Sequence, residues 1–146
     1  MNELVLTLVI GGRRTALRAP DVHSVVELGK VSPVPRAPDF VRGLTALRSA
    51  AMTVIDCAVA LGLPSREGDP EGRRAAVFED QGHLYALLVD EVDDVVESHT
   101  APTPVPGDAG SGWELAALGM IETASGPALL IDPSIFIRSE ICTKAA

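Results

Sequence analysis

Residues Val31 to Leu63 read VSPVPRAPDFVRGLTALRSAAMTVIDCAVALGL. Pro33, Pro35 and Pro38 hold the opening of this stretch extended, because each proline drives the residue before it out of the helical region. Phe40 to Leu47 then reads as a strand that contains Arg42-Gly43 and ends against Arg48. Ala50 to Ile55 reads as a second strand. Asp56 is placed to cap one or two helical turns reaching Leu61, closed by Gly62 and Pro64. The stretch holds no pair of residues suited to catalysis, and it describes part of a β-rich binding module.

The same reading extends to both ends of the chain. Leu4 to Ile10 and Thr15 to Ala19 flank Gly11-Gly12 and predict a hairpin. After Pro20, Asp21 is placed to cap a short helix whose apolar face is Val22, Val25, Val26 and Leu28, with Gly29 as its stop. Ser65 to Gly72 is a polar loop. Ala75 to Glu79 and Leu84 to Val89 form a hairpin around Asp80-Gln81-Gly82, and Val92 to Val96 continues the β pattern. Thr100 to Gly112 is a second long loop. Leu115 to Glu122 and Ala128 to Ile131 are closing strands, and Asp132 with Pro133 opens a C-terminal helix. The expected organisation is one domain over residues 1–146, with two strand groups divided near residues 64–73 and no exact internal repeat. Many short, closely spaced strands predict small barrels or a sandwich.

Composition narrows the function. A chain of 146 residues that is 47% hydrophobic can bury a core, and at 3% aromatic that core is built from Val, Leu, Ile and Ala. The net charge of −8 argues against nucleic acid and against an anionic membrane surface. No apolar run approaches the roughly 20 residues needed to span a bilayer, so membrane insertion is not expected. The start Met1-Asn2-Glu3 lacks a basic n-region and a long apolar h-region, so the expected compartment is the cytoplasm. Of the two cysteines, Cys57 lies in an apolar run and reads as a buried, reduced small hydrophobe; a disulfide with Cys142 stays open but nothing requires it, and the two cannot make a zinc site alone.

Candidate chemistry is sparse. His23, His83 and His99 stand far apart, without a second ligand at helical or hairpin spacing, so no metal or cofactor is expected. Asp56 and Asp90 each follow an apolar strand; the paired-carboxylate reading stands beside a helix cap for Asp56 and a strand-end turn for Asp90. No Ser, Cys or Thr sits in a nucleophile elbow, and the glycine clusters lack a phosphate loop's lysine. Arg42 and Arg48 differ from these. Each interrupts or ends an apolar strand, where a guanidinium either snorkels to solvent or offers its fork of donors beside an apolar groove to another protein.

With these residues in view the chain resembles the CheW family, the adaptor proteins of bacterial chemotaxis. The resemblance rests on Pro33-Val34-Pro35, Ala37-Pro38, Phe40-Val41-Arg42-Gly43, Leu47-Arg48, Val54-Ile55-Asp56 and Leu61-Gly62. It continues at Leu87-Leu88-Val89-Asp90-Glu91-Val92, and more weakly at Leu129-Leu130-Ile131-Asp132. It implies a mainly β fold of two small SH3-like five-stranded barrels packed side by side, with short helices. It also implies a non-catalytic scaffold that couples methyl-accepting chemoreceptor tips to the regulatory domain of a CheA-type histidine kinase. The protein-binding residues it implies are Arg48, Val22, Val25 and Leu44 near the receptor groove, with Arg42 beside them.

The departures are specific. Ala46-Leu47-Arg48-Ser49 stands where the family usually has Asn-Leu-Arg-Gly, so Ser49 must accept a glycine's conformation or alter the turn. Thr53 and Cys57 replace a frequent Pro and Leu. Ser24 replaces the acidic residue that could pair with Arg48, with Glu27 nearby. A divergent CheW-like domain outside chemotaxis, or one competing with another adaptor, is the alternative. A β-barrel enzyme using Asp56 and Asp90, or a ligand-binding barrel, is the reading from a different class.

Overall fold

The run from Leu4 to Ile10 is apolar at nearly every position. Successive side chains of a strand point to opposite faces, so such a run must be covered on both sides. It forms β1 (Glu3–Ile10), buried on both faces over most of its length. A computed structural model describes residues 3–64, 68–104, 113 and 116–137. After β1 come β2 (Arg13–Arg18), a 3-10 turn (Ala19–Asp21), β3 (Ser24–Glu27), β4 (Val41–Leu47) and β5 (Ala50–Asp56). Then follow α1 (Cys57–Ala60), β6 (Arg74–Asp80), β7 (His83–Leu88), β8 (Glu91–Ser98), β9 (Ala117–Thr123), β10 (Gly126–Ile131) and a 3-10 turn (Pro133–Ile137).

The strands form two five-stranded units, as expected. One is a closed barrel in the order β1-β2-β10-β9-β8, and the other is a sheet in the order β3-β6-β7-β5-β4. In the second unit the terminal strands are joined through one bridge beyond the end of β3. There Ser32 and Leu44 exchange both backbone hydrogen bonds at 2.8 Å.

The two units share a topology, shifted along the chain. Taken in the sequence β8, β9, β10, β1, β2, the strands of the barrel occupy the places of β3, β4, β5, β6, β7. The one parallel pairing of each unit falls at the matching place, β10 with β2 and β5 with β7. The Ser32–Leu44 bridge matches a Thr103–Met120 bridge. Gly43 and Gly119, each just before its bridge residue, have φ of 148° and 146°.

Three apolar clusters follow from the alternation of faces. Val5, Ala16, Ile121, Ala128 and Leu130 fill the barrel, and Met52, Val54, Ala75, Val77, Ala86 and Leu88 line the inside of the second unit. The opposite faces meet between the units, where Leu6, Leu8, Ile10, Leu17, Leu129 and Ile131 pack with Ile55, Ala76, Phe78 and Leu87. Trp113 and Phe136 complete this largest cluster, and the Arg13 guanidinium lies 5.0 Å from the centroid of the Trp113 ring.

Three expectations need correction. The expected helix over Val22 to Leu28 is β3. Even-numbered residues from Val22 to Leu28 are buried or half-buried and odd-numbered ones exposed, which is a period of two. Pairing of Ser24 to Glu27 with Val77 to Arg74 decides the matter, and the β-branched Val25 and Val26 suit it. Second, residues 64–73 do not divide the strand groups: they join β5 to β6, both in the second unit. The chain changes unit at Ala19 to His23 and again at Val89-Asp90, because the second unit is inserted between the strands of the first. Third, Pro133 to Ile137 is a 3-10 turn rather than an α-helix, although Asp132 does cap it, accepting from the Ser134 N–H at 3.0 Å. Residues 65–67 and 105–112 of the two expected loops, Leu115, Cys142 and the rest of the expected C-terminal helix lie outside the described residues.

Candidate functional site

The hairpin of β4 and β5 holds both arginines. Pairing from its tip, Leu47 with Ala50, would set Arg42 opposite Ile55, but the register slips by one between Val41 and Gly43, so Val41 faces Ile55 instead. Arg42 lies in this bulge. Its Nη1 donates to Asp56 Oδ2 at 3.3 Å and its Nη2 to the Gly68 carbonyl at 3.0 Å. Asp56, 6% exposed at its side chain, also accepts from the Val59 N–H at 3.2 Å as the cap of α1. One carboxylate thus joins the strand bulge, the helix start and, through Arg42, the 68–73 loop. The fork expected to face a partner is engaged within the fold.

Arg48 and Ser49 make the two-residue turn between β4 and β5, and both are exposed. Arg48 itself takes the left-handed conformation, with φ of 58°. A glycine's backbone requirement is expected at Ser49, but the turn places the positive φ one residue earlier, at Arg48. Among the described residues no hydrogen bond or ion pair engages Arg48, and neither Ser24 nor Glu27 reaches it. Ser24 Oγ lies 3.3 Å from the ring Nδ1 of His23.

The three apolar candidates sit differently. Val22 is half-buried against the shared core. Val25 on β3 and Leu44 on β4 are 37% and 43% exposed, large for aliphatic side chains. Val25 faces Ala76 across the ladder and Leu44 faces Thr53, so both point to the side of the sheet that packs on the barrel, beyond the barrel's cover. They occupy the two terminal strands in the sheet order. Arg48, Leu44 and Ala46 do share one hairpin.

The remaining polar groups are held in local structure. Asp90 Oδ2 accepts from the Gly12 N–H at 3.0 Å, across the junction of the units. His23, His83 and His99 are exposed and separate. Among the described residues no three His, Cys, Asp or Glu side chains come together to hold a metal ion. Cys57 is fully buried, and burial, with the Asp56 charge beside it, pushes its thiol well above the ordinary value. No helix among the described residues is long and apolar enough to cross a membrane. Two features escaped the sequence reading. The Arg42–Asp56 pair is hidden by the one-residue bulge, and Trp113 stands between the expected Thr100 to Gly112 loop and the strand expected from Leu115, outside every expected element.

Comparison with known proteins agrees with this architecture. The crystal structure of the scaffolding protein TtCheW from Thermoanaerobacter tengcongensis superposes with a TM-score of 0.72, covering 90% of each chain at 22% sequence identity. No curated protein matches the sequence. The family model for the CheW-like domain matches residues 4–140, which takes in every described strand but the first residue of β1. With two five-stranded units of one shared topology and a family match over nearly its whole length, the chain belongs to the CheW-like domain family.

Proposed function

We propose that the protein is a non-catalytic adaptor of chemotaxis signalling, coupling methyl-accepting chemoreceptors to a CheA-type histidine kinase in the cytoplasm. The family match over residues 4–140 carries the reading. The use of Asp56, Asp90 and Arg42 in caps, turns and clamps supports it, since these groups serve the fold. Binding falls to Arg48 at the hairpin tip and to the apolar Val22, Val25 and Leu44. Arg42 acts behind them by stiffening the hairpin.

The test is co-purification and calorimetric titration with a kinase regulatory domain and a receptor-tip fragment from the same genome. Removing a contact at the centre of an interface costs more than about 1 kcal/mol, so Arg48→Ala should weaken binding by roughly fivefold or more. Its unfolding curve should match that of the parent. Unchanged affinity refutes the role of Arg48, and absence of binding to both fragments refutes the adaptor reading.

One observation favours the alternative of a CheW-like domain in another pathway, or one competing with a second adaptor. The core segments of the family are kept, while Ala46, Ser49 and Ser24 depart on the exposed hairpin and on β3. Kinase and receptor genes beside this one favour chemotaxis; a different signalling neighbourhood favours the alternative.

A further inference from the structure

The two units differ at one matching position. On β9, Met120 exchanges backbone bonds with Thr103 at 2.7 and 2.9 Å. Two residues on, Glu122 is also engaged: its N–H donates to Thr100 Oγ1 at 3.1 Å and its carbonyl accepts from the His99 N–H at 2.7 Å. The chain that follows β8 thus covers this edge. In the second unit Leu44 takes the place of Met120, and Ser32 pairs with it. Ala46 takes the place of Glu122. Alternate residues of an antiparallel strand turn their backbone groups to the same side, so the N–H and C=O of Ala46 face outward beside those of Leu44. Lys30 is where pairing would continue, but its carbonyl accepts from Thr45 Oγ1 at 2.9 Å instead. Among the described residues nothing meets Ala46 on that side, and Ala46 is exposed.

An open strand edge is a template for another strand. Its surroundings set the chemistry of the occupant. On a chain of net charge −8, residues 30–48 hold Lys30, Arg36, Arg42 and Arg48 against one carboxylate, Asp39. Arg42 is engaged with Asp56, while Lys30, Arg36 and Arg48 are exposed. Leu44, 43% exposed, adds apolar area next to the open edge.

We propose that the β4 edge at Ala46, flanked by Lys30 and Arg48 and by the exposed Leu44, receives an extended acidic peptide segment of a partner protein as an added strand. Ala46 supplies one donor and one acceptor to the ladder, and the cations meet carboxylates on the added strand. A nucleic acid fits less well: its backbone cannot continue the ladder, and the edge presents no exposed aromatic ring for base stacking. The proposal stands on the open edge and the charges around it and does not depend on the chemotaxis reading.

The experiment uses the full chain, isotopically labelled, and the synthetic peptide acetyl-EVEVEV-amide at low salt. The amide resonances of Thr45 to Arg48 should shift saturably, and exchange of the Ala46 amide with solvent should slow. Arg48→Glu combined with Lys30→Glu should weaken binding at least tenfold and confer binding of acetyl-KVKVKV-amide. Ala46→Pro, tolerated on an edge whose N–H faces outward, should abolish binding of the acidic peptide. Acetyl-EVEVEV-amide N-methylated at all six residues has the same charge, but its residues cannot donate to the ladder, so it should bind at least tenfold more weakly. Equal binding of that peptide, shifts confined to other strands, or tighter binding of a single-stranded oligonucleotide would each overturn the proposal.

Discussion

Replacing Gly43 by Ala should be among the most damaging single-methyl changes in this protein. Gly43 has φ of 148°, a region that L residues rarely adopt. A Cβ there would lie 2.7 Å from the Ser32 carbonyl carbon, closer still to its oxygen, and 3.0 Å from Val31 Cγ1. The first two atoms are backbone, held by the reciprocal Ser32–Leu44 bonds, and cannot swing aside as a side chain would. A sparsely populated backbone conformation costs about 1–3 kcal/mol. Pushing Ser32 away sacrifices two hydrogen bonds, each with a net contribution of about 0.5–1.5 kcal/mol. The expected loss is therefore about 2–6 kcal/mol, a large part of the 5–15 kcal/mol that typically holds a domain together. Gly62 is the control: its φ is 79°, but a Cβ there meets nothing within 4 Å, so Gly62→Ala should show the conformational cost alone. Urea unfolding followed by circular dichroism measures both variants. At about 2–4 °C per kcal/mol for a chain of this size, Gly43→Ala should also melt roughly 4–24 °C lower. If the two variants prove equally stable, or Gly43→Ala falls within about 0.5 kcal/mol of the parent, the close approach of Ser32 is not what requires glycine.

Two further outcomes follow from the buried polar groups. Arg42→Ala leaves the Asp56 carboxylate, 6% exposed, without its guanidinium, and should cost about 1–3 kcal/mol in urea unfolding. Because Arg42 also holds the Gly68 carbonyl, the 68–73 loop should become more susceptible to limited proteolysis, and an unaltered cleavage pattern would count against the clamp. For Cys57 the folded state raises the thiol above its unfolded value of 9.0, so folding favours the protonated form. That stability is full below pH 9.0 and is lost as pH rises from there toward the folded value. A Cys57→Ala variant should therefore have a flatter stability profile above pH 9.0 than the parent, and in a Cys142→Ser background the native thiol should resist alkylation until the chain unfolds.

What the sequence made legible was local and strongly patterned. The strands on either side of Arg48-Ser49, the cap at Asp56 and the turn at Gln81-Gly82 each rest on residues whose chemistry admits few conformations. Val22 to Leu28 is ambiguous because its four apolar residues fit a helical face as well as a strand. Only the partner strand β6, some fifty residues away, separates the two readings. The Arg42–Asp56 pair was out of reach for a related reason. Counting back from the hairpin tip puts Ile55 opposite Arg42, and the bulge that shifts the register leaves no mark in the sequence beyond Gly43. Of the candidate site, Arg48, Val25 and Leu44 are exposed. Their distribution over two terminal strands depends on how the sheet is ordered, which a string of residues does not state.

The absence of a visible repeat has a physical explanation in the same terms. The two units match strand for strand only when the barrel is read from β8 to β10 and then from β1 to β2, so the repeat is interrupted by the ends of the chain. What survives of it is confined to backbone-determined positions. Gly43 and Gly119 each have φ near 147° and each face the carbonyl of a bridging residue, Ser32 or Thr103. Asp56 ends and Asp132 follows the strand that pairs in parallel, and each caps the turn that comes next. The position of Arg42, two before the bridge residue, is held by Leu118 in the barrel, and the engaged Glu122 corresponds to the open Ala46. Glycine and the capping aspartate are constrained by backbone geometry, so both units keep them. The side chains between them answer to whatever each unit touches, and there the two have diverged: the barrel closes its seam with its own chain, and the second unit leaves the same seam open at the hairpin that carries Arg48.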